Sequence, residues 1–469
     1  LEAIVRNELF SKIGAAADQL GVDAYLIGGY VRDYLLKRPM PKDVDVVAIG
    51  SGIALAETFA AALQPPAQVH VFRNFGTAQV RFRDIDVEFV GARRESYRSD
   101  SRKPIVEDGT LEDDQNRRDF TINALAVGLS KTVFGQLLDP FAGVRDLDLR
   151  LIRTPLDPQI TFSDDPLRMM RAIRFATQLD FSIDPRAFAA ISEQRARLDI
   201  VSAERIMDEF NKIMAAPKPS VGLLLLYQSG LLERFFPELV ALKGVEEVEG
   251  QVHKDNFLHT LEVVDNIAEN TTNLWLRWAA LLHDIGKAPT KRFIEGAGWT
   301  FHGHELKGSR MIPGIFRRLK LPMNEKMKYV QKIVSLSSRP IALVNEMVTD
   351  AAVRRLLFDA GEGLEDLMIL CEADITTKNP KRKARYLQNF EEVREKFVNV
   401  EARDQMRNWQ PPISGDQIME LFGIPPGREV GILKNSLKEA IFDGVIPNDY
   451  DAARDWMLKQ GQALGLNVK

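Results

Sequence analysis

The stretch Asp43-Val-Asp-Val-Val-Ala-Ile-Gly50 sets two carboxylates two residues apart in an otherwise apolar run. In an extended chain residues i and i+2 share a face, so Asp43 and Asp45 stand side by side while Val44, Val46 and Val47 bury the strand. Like charges that close repel unless a cation lies between them, and hard oxygen ligands suit Mg²⁺. Downstream, Asp86 and Glu88 share one face of another expected strand, and either can supply a third carboxylate. Two metal ions held by such a set can activate an attacking 3′-hydroxyl and neutralise a leaving pyrophosphate. Upstream, Gly28 and Gly29 follow a strand and open a helix, so backbone N–H groups there can approach a phosphate unhindered, with Arg32 one turn further on.

Around this stretch the first 140 residues alternate short apolar runs with helical periods. Ala24–Ile27, Val44–Ile49, Val69–Phe72, Ala78–Phe82 and Ile85–Val90 read as strands, and Tyr30–Lys37 and Ile53–Leu63 as helices. From Asp165 onward amphipathic helices dominate, among them Pro166–Leu179, Ala203–Ala215 and Val221–Tyr227, and the rest of the chain reads as all-helical. The fold class is therefore α+β: a sheet-containing head at 1–150, a helical neck at 151–245, a helical third part at 246–400 and a helical tail at 401–469. Gly244 and Gly250 bracket one boundary, and Pro411 and Pro412 mark another.

Composition narrows the function classes. The 469 residues are 45% apolar and 27% charged, enough for several cores. Apolar runs such as Leu274 to Ile285 are broken by Arg277, His283 and Asp284, so no membrane span is expected. A single cysteine, Cys371, excludes an intramolecular disulfide framework and fits the cytoplasm. The chain opens at Leu1, so a natural start is expected to be missing, and the lack of a signal peptide carries no weight. A net charge of −4 argues against a protein that coats nucleic acid, yet Arg93 to Lys103 and Lys378 to Arg385 each carry five basic residues.

Two further constellations carry chemistry. Asp165 and Arg168 lie three residues apart, so within a helix they would present an acceptor and a fork of donors on one face, matching the polar edge of cytosine or adenine. Five of the six histidines fall between His253 and His304. Imidazole nitrogens combined with carboxylate oxygens suit a divalent transition ion such as Ni²⁺, Co²⁺ or Mn²⁺.

Leu26-Ile-Gly-Gly-Tyr-Val-Arg-Asp33, Asp43-Val-Asp45, Arg117-Arg-Asp-Phe-Thr-Ile-Asn-Ala124 and Asp165-Pro-Leu-Arg-Met-Met-Arg-Ala-Ile-Arg-Phe175 follow one another in the chain. Together they resemble the ordered motifs of the class II tRNA nucleotidyltransferase and poly(A) polymerase family, over roughly residues 20–240. The resemblance implies a polymerase-β-like head with Asp43 and Asp45 as metal ligands, and favours Glu88 as the third carboxylate. It gives Gly28, Gly29 and Arg32 to the triphosphate, and places Arg118, Asp119 and Asn123 in the motif that orients head against neck and holds the sugar. Asp165 and Arg168 resemble the element that reads the incoming base in place of a template, although Asp164 stands where members often have Glu.

His259, His283, Asp284 and Asp350 have the order H…HD…D of the HD-domain phosphohydrolases, which implies a second metal site. Ser337-Ser338-Arg339-Pro340 stands where related chains often carry a histidine, which weighs against a binuclear centre. Ile413-Ser-Gly415 and Gly423-Ile-Pro-Pro-Gly-Arg428 resemble the tails of HD-bearing tRNA nucleotidyltransferases, and by analogy this region, with Lys378–Arg385, is expected to meet the tRNA elbow. The expected function is addition of CCA to tRNA from CTP and ATP. The competing readings are a poly(A) polymerase, a partial CC- or A-adding enzyme, and an HD phosphohydrolase with an RNA-binding head.

Overall fold

The computed structural model describes residues 2–73, 76–98, 101–345 and 349–468. Ser99 and Asp100 of the first basic run lie outside the described residues. The chain divides into two compact units, Leu1–Val240 and Ala241–Lys469.

The first unit is built on a seven-stranded sheet. Its order is Val69–Phe72, Thr77–Phe82, Ile85–Gly91, Asp43–Ala48, Ala24–Ile27, Ala126–Gly128 and Leu137–Leu138. Only the Asp43–Ala48 and Ile85–Gly91 pair runs parallel, so these two strands present the same ends together. Ala24–Ile27 lies centrally and is buried on both faces. Helix Gly52–Ala61 packs on the sheet through Leu55, Ala56 and Phe59; Gly52 is required there because a Cβ would collide with the Val90 backbone. Five strands stand where the sequence predicts them, within a residue at either end. The strands Ala126–Gly128 and Leu137–Leu138, of three and two residues, are too short to show a period and were not predicted; nor was the antiparallel pair Arg93–Arg98 and Ser101–Asp108, a run with few apolar residues to alternate.

The neck of this unit is a stack of helices, Leu167–Leu179, Pro185–Gln194, Ala203–Met214 and Pro219–Gln228. Met169, Met170, Ile173 and Ala176 are fully buried, and Phe210 packs edge-on to Phe235 at 5.6 Å.

The second unit contains eleven described helices of seven or more residues, from Asn256–Asn270 to Tyr450–Ala463. It is not purely helical, because Glu247–Val248 pairs with Gln251–Val252 and Arg292–Ile294 with Gly298–Thr300. Helix Pro380–Asp404 runs straight through position 400, where the sequence places the start of the tail, so that boundary does not divide the structure. Tail helices Gly415–Phe422 and Arg428–Phe442 are punctuated as their sequence suggests: Ser414 and Gln417 form a capping box, and Gly423 ends the first helix at φ +61°. No described helix is long and apolar enough to cross a membrane.

Candidate active site and candidate metal centre

Parallel register brings the head carboxylates together. Asp45 faces Glu88 across the two strands, and Asp43 faces Asp86. Burial lifts the Asp45 carboxyl above its ordinary value; Arg118 opposes the shift and Asp43 adds to it. Glu88 is raised in the same direction, by burial and then by Asp45. Buried carboxylates whose ionisation is hindered by neighbouring acids, Asp43 at Asp45 and Asp45 at Glu88, form a set that a divalent cation would relieve. Asp86 instead lies 3.5 Å from Arg81, which already balances its charge. Glu88 also lines a cavity of about 410 Å³ with Phe72, Thr77, Gln79 and Arg93.

The glycine turn abuts this set. Gly28 has φ +82°, and a Cβ there would stand 3.3 Å from Arg118 Nη1 and 3.5 Å from Asp45 Oδ2. A side chain at this position would be strained by the positive φ and would crowd the Arg118 guanidinium. Arg118 is aimed by Asp114, a fully buried acid that accepts from Arg118 Nε and Nη2 at 3.2 Å and from Arg117 Nε at 2.9 Å. Asp114 was not singled out in the sequence, although it begins the acid-x-x-Arg-Arg spacing that places both arginines within one turn of it.

Arg32 does not stand ready for a phosphate as expected. Its Nε and Nη2 donate to the two oxygens of Asp33, at 2.9 and 3.1 Å, and its Nη1 donates to Asn123 Oδ1 at 2.8 Å. Asn123 Nδ2 in turn donates to Asp119 Oδ1 at 3.1 Å, and Arg171 Nε donates to Asp119 Oδ2 at 2.7 Å. This chain of bonds joins the glycine turn to the first long neck helix. Arg171 also stands 3.9 Å from buried Glu209, which forms an ion pair with Arg174 at 2.8 Å.

Asp165 and Arg168 do not share a helix face. Asp165 sits in extended backbone between two helices, and its side chain accepts from Leu167 N at 3.2 Å at the start of Leu167–Leu179. Pro166 forces this break, since the residue before a proline is pushed out of helical conformation. Arg168, inside the helix, donates to the carbonyls of Arg117 at 2.5 Å and Thr161 at 3.4 Å.

In the second unit His259, His283 and Asp284 each offer one ligand atom within 4.8 Å of the others. The fourth member is Asp374, whose Oδ1 lies 2.6 Å from His259 Nε2 and 3.5 Å from His283 Nε2. Asp350, expected in that role, is instead at the start of helix Asp350–Ala360, where Arg403 holds it at 2.8 Å. An acid at a helix N-terminus needs no metal, because the helix dipole favours it. Asp374 caps the C-terminal end of Leu364–Ala373, where the dipole opposes a carboxylate, and that placement was the signal for a cationic partner.

His283 Nδ1 donates to Ala280 O at 2.7 Å, which leaves Nε2 with the lone pair in the neutral ring. That Nε2 is buried without a hydrogen-bond partner and points into the cluster. Burial works against a charged His283, yet Asp284 outweighs it and raises the ring's pKa; burial likewise opposes ionised Asp284 and Asp374, and the imidazoles hold both low. The donor set therefore fits a divalent ion that accepts mixed nitrogen and oxygen ligands. His304 Nε2 stands 3.5 Å from Asp284 Oδ1, brought close because Gly286 has no Cβ to collide with the His304 carbonyl. Lys287 Nζ donates to Asp284 Oδ2 at 2.7 Å.

A mixed sheet with a carboxylate pair beside a glycine turn, braced on a helical neck, defines a nucleotidyltransferase; the second unit adds an HD-type centre. Family models agree, matching "Poly A polymerase head domain" at residues 24–153, "Probable RNA and SrmB- binding site of polymerase A" at 180–242 and "HD domain" at 256–377. The chain is 33% identical over 344 residues to the A-adding tRNA nucleotidyltransferase of Deinococcus radiodurans, covering 70% of this chain and 75% of that protein. It is 32% identical to the Multifunctional CCA protein of Mannheimia succiniciproducens, covering 75% and 84%. The chain belongs to the tRNA nucleotidyltransferase and poly(A) polymerase family. Its fold is shared with the Bacillus stearothermophilus CCA-adding enzyme solved with CTP, at TM-score 0.67 and 24% identity over 98% of this chain and 99% of that one.

Proposed function

We propose that the chain adds nucleotides without a template to the 3′ end of tRNA, building CCA from CTP and ATP in the cytoplasm. The observation that carries this reading is Asp45 in register with Glu88, beside a glycine turn whose positive φ at Gly28 other residues rarely adopt. Asp43, Asp45 and Glu88 would hold Mg²⁺, which when bound supplies Lewis-acid stabilisation of the attacking and leaving oxygens. The 3′-oxygen of the RNA bonds to the α-phosphorus, the bond to pyrophosphate breaks and the hydroxyl proton passes to solvent. Gly28 and Gly29 leave room for the triphosphate, and Arg118, aimed by Asp114, meets its charge. Arg32, Asp119 and Asn123 fix the turn and the sugar-binding motif against the neck, where Asp165 and Arg168 present an acceptor and donors to the base.

For the second unit we propose a phosphohydrolase centre at His259, His283, Asp284 and Asp374, loaded with Ni²⁺, Co²⁺ or Mn²⁺; the unpartnered Nε2 of His283 favours this reading over a spacer. Hydrolysis of a 2′,3′-cyclic phosphate adds water oxygen to phosphorus, breaks one ring P–O bond and returns a proton to the released hydroxyl.

Incubation with Mg²⁺, labelled CTP or ATP, and tRNA lacking one, two or three terminal nucleotides tests the main reading. Ordered, self-limiting addition of C, C and A is expected. Long A tracts would mean a poly(A) polymerase, addition only to the tRNA lacking one nucleotide an A-adding enzyme, and addition only of C to the other two a CC-adding enzyme.

A further inference from the structure

The basic run Lys378–Arg385, expected at the tRNA elbow, begins helix Pro380–Asp404 and borders a cavity of about 480 Å³ that reaches the HD cluster. The cavity wall includes Lys254, Asp374, Thr376, Arg382, Tyr386 and Phe390. Asp374 belongs to both places, since its Oδ1 touches His259 Nε2. A ligand in this cavity therefore reaches the edge of the proposed metal site at Asp374.

The two ends of the cavity differ in chemistry. At the cluster end, Lys254 Nζ is 2.6 Å from Thr376 Oγ1 and 2.7 Å from His259 Nδ1, which holds an ammonium and a hydroxyl beside the ligand set. Among the described residues of the wall Asp374 is the one acid, against the cations Lys254 and Arg382. Once a divalent ion neutralises Asp374, the surplus charge is positive and favours an anion. At the other end, Arg382 and Tyr386 lie four residues apart on one helix face, with the guanidinium carbon 5.8 Å from the ring centre. A guanidinium paired with an aromatic ring is a surface on which a nucleobase stacks whatever its identity. The volume falls in the range that encloses a ligand of mononucleotide size and exceeds what bare phosphate needs.

We propose that this cavity is the substrate subsite of the HD centre and takes a nucleoside phosphate, its phosphate between Lys254, Thr376 and Arg382 and its base against Tyr386. The inference rests on the phosphohydrolase reading of that centre, and it makes Arg382 and Tyr386 specificity residues outside the metal ligands.

The test uses the full chain with Mn²⁺ and the variants Arg382→Ala, Tyr386→Ala and Tyr386→Phe. Calorimetric binding of adenosine 3′-monophosphate is measured alongside hydrolysis of 2′,3′-cyclic AMP and p-nitrophenyl phosphate. Both alanine variants should weaken binding and raise KM for the cyclic nucleotide about tenfold, with kcat within about twofold, because uniform binding is lost and the reacting centre is untouched. Tyr386→Phe should match the parent, and Tyr386→Ala should leave KM for p-nitrophenyl phosphate unchanged. An RNA ending in a cyclic phosphate, run in parallel, separates the two sources of the ligand: a matching penalty assigns RNA termini to the cavity, and a penalty on the mononucleotide alone assigns free nucleotides. Unchanged binding and KM in both alanine variants would overturn the subsite while leaving the hydrolase standing. A parent that binds adenosine 3′-monophosphate through Arg382 and Tyr386 but hydrolyses nothing would sink the hydrolase reading alone, and a parent that does not bind it overturns the subsite.

Discussion

Asp119 accepts a 2.7 Å hydrogen bond from Arg171 and, through its other oxygen, holds Asn123 at 3.1 Å, so one carboxylate joins the Arg117–Ala124 motif to the neck helix. The Asn123 contact is local, four positions along the chain, but the Arg171 contact spans 52 positions and is not visible from sequence separation. The pair is buried enough for its charge to matter to stability.

Burial alone would raise the Asp119 pKa, but Arg171, Asn123 and Arg168 overcome it and bring it down to about 2. A depressed carboxylate contributes stability that is present above its unfolded value near 4 and is lost as pH falls toward about 2. The contribution at neutral pH is about 2 kcal/mol. Asp119→Asn should therefore lower stability by that order at pH 7, and the gap from the parent should close between about pH 4 and 2. All five tryptophans lie in the second unit, at 275, 278, 299, 409 and 456, so the head must be followed by amide exchange or circular dichroism in urea. A gap that stays constant with pH would mean that the charge of Asp119 is not the source.

The head carboxylates give a sharper contrast. Asp45→Asn, Asp43→Asn and Glu88→Gln should each reduce nucleotide addition by roughly a thousandfold or more, because a ligand to both reacting oxygens loses its charge. Asp86→Asn should stay within about threefold of the parent, since Arg81 and not the cluster is its partner. Single-turnover addition to tRNA lacking its last nucleotide, at saturating Mg²⁺, measures all four; near-parental rates for Glu88→Gln would return the third ligand to Asp86.

Legibility of the chain followed the range of the forces involved. The Asp43–Ala48 strand and the carboxylates on its face were readable because period-2 alternation is local. The in-register partnership of Asp45 with Glu88 was not, since it depends on a parallel pairing set by the whole sheet. Asp165 was misplaced onto a helix although Pro166 follows it, and the proline's restriction on its predecessor was the available correction. Asp350 was chosen by residue order alone, which cannot distinguish an acid stabilised by a helix dipole from one that needs a cation.

That last confusion is directly testable. Asp374→Ala should abolish binding of one Mn²⁺ or Ni²⁺ per chain and with it the phosphohydrolase activity, whereas Asp350→Ala should leave both within about twofold. Loss of the Asp350–Arg403 pair, which is half-exposed, should cost under about 1 kcal/mol. Calorimetric metal titration of the two variants checks this without relying on turnover. Equal metal affinity in Asp374→Ala and the parent would remove Asp374 from the ligand set.

The base-reading role proposed for Arg168 rests on its position: its fork reaches the Arg117 and Thr161 carbonyls and so stands between the Arg117–Arg118 motif and the neck. Arg168→Lys keeps the charge and loses the planar fork of donors, which makes it a better probe than alanine, since alanine would also remove the charge and the bond to the Arg117 carbonyl. A mismatched donor in a closed pocket costs about 1–3 kcal/mol, enough to change selection by tenfold or more. The lysine variant should accept UTP and GTP at least about tenfold more readily relative to CTP and ATP, while KM for the correct triphosphate moves less than about threefold, because the phosphate contacts at Gly28 and Arg118 remain. Asp165→Asn, which can still accept from Leu167 N and so preserve the helix start, should relax selection in the same direction. Incorporation of each of the four nucleotides, measured singly on tRNA ending before each position of the terminus, reads the result. Unchanged preference for C and A in both variants would place base reading in other residues of the neck.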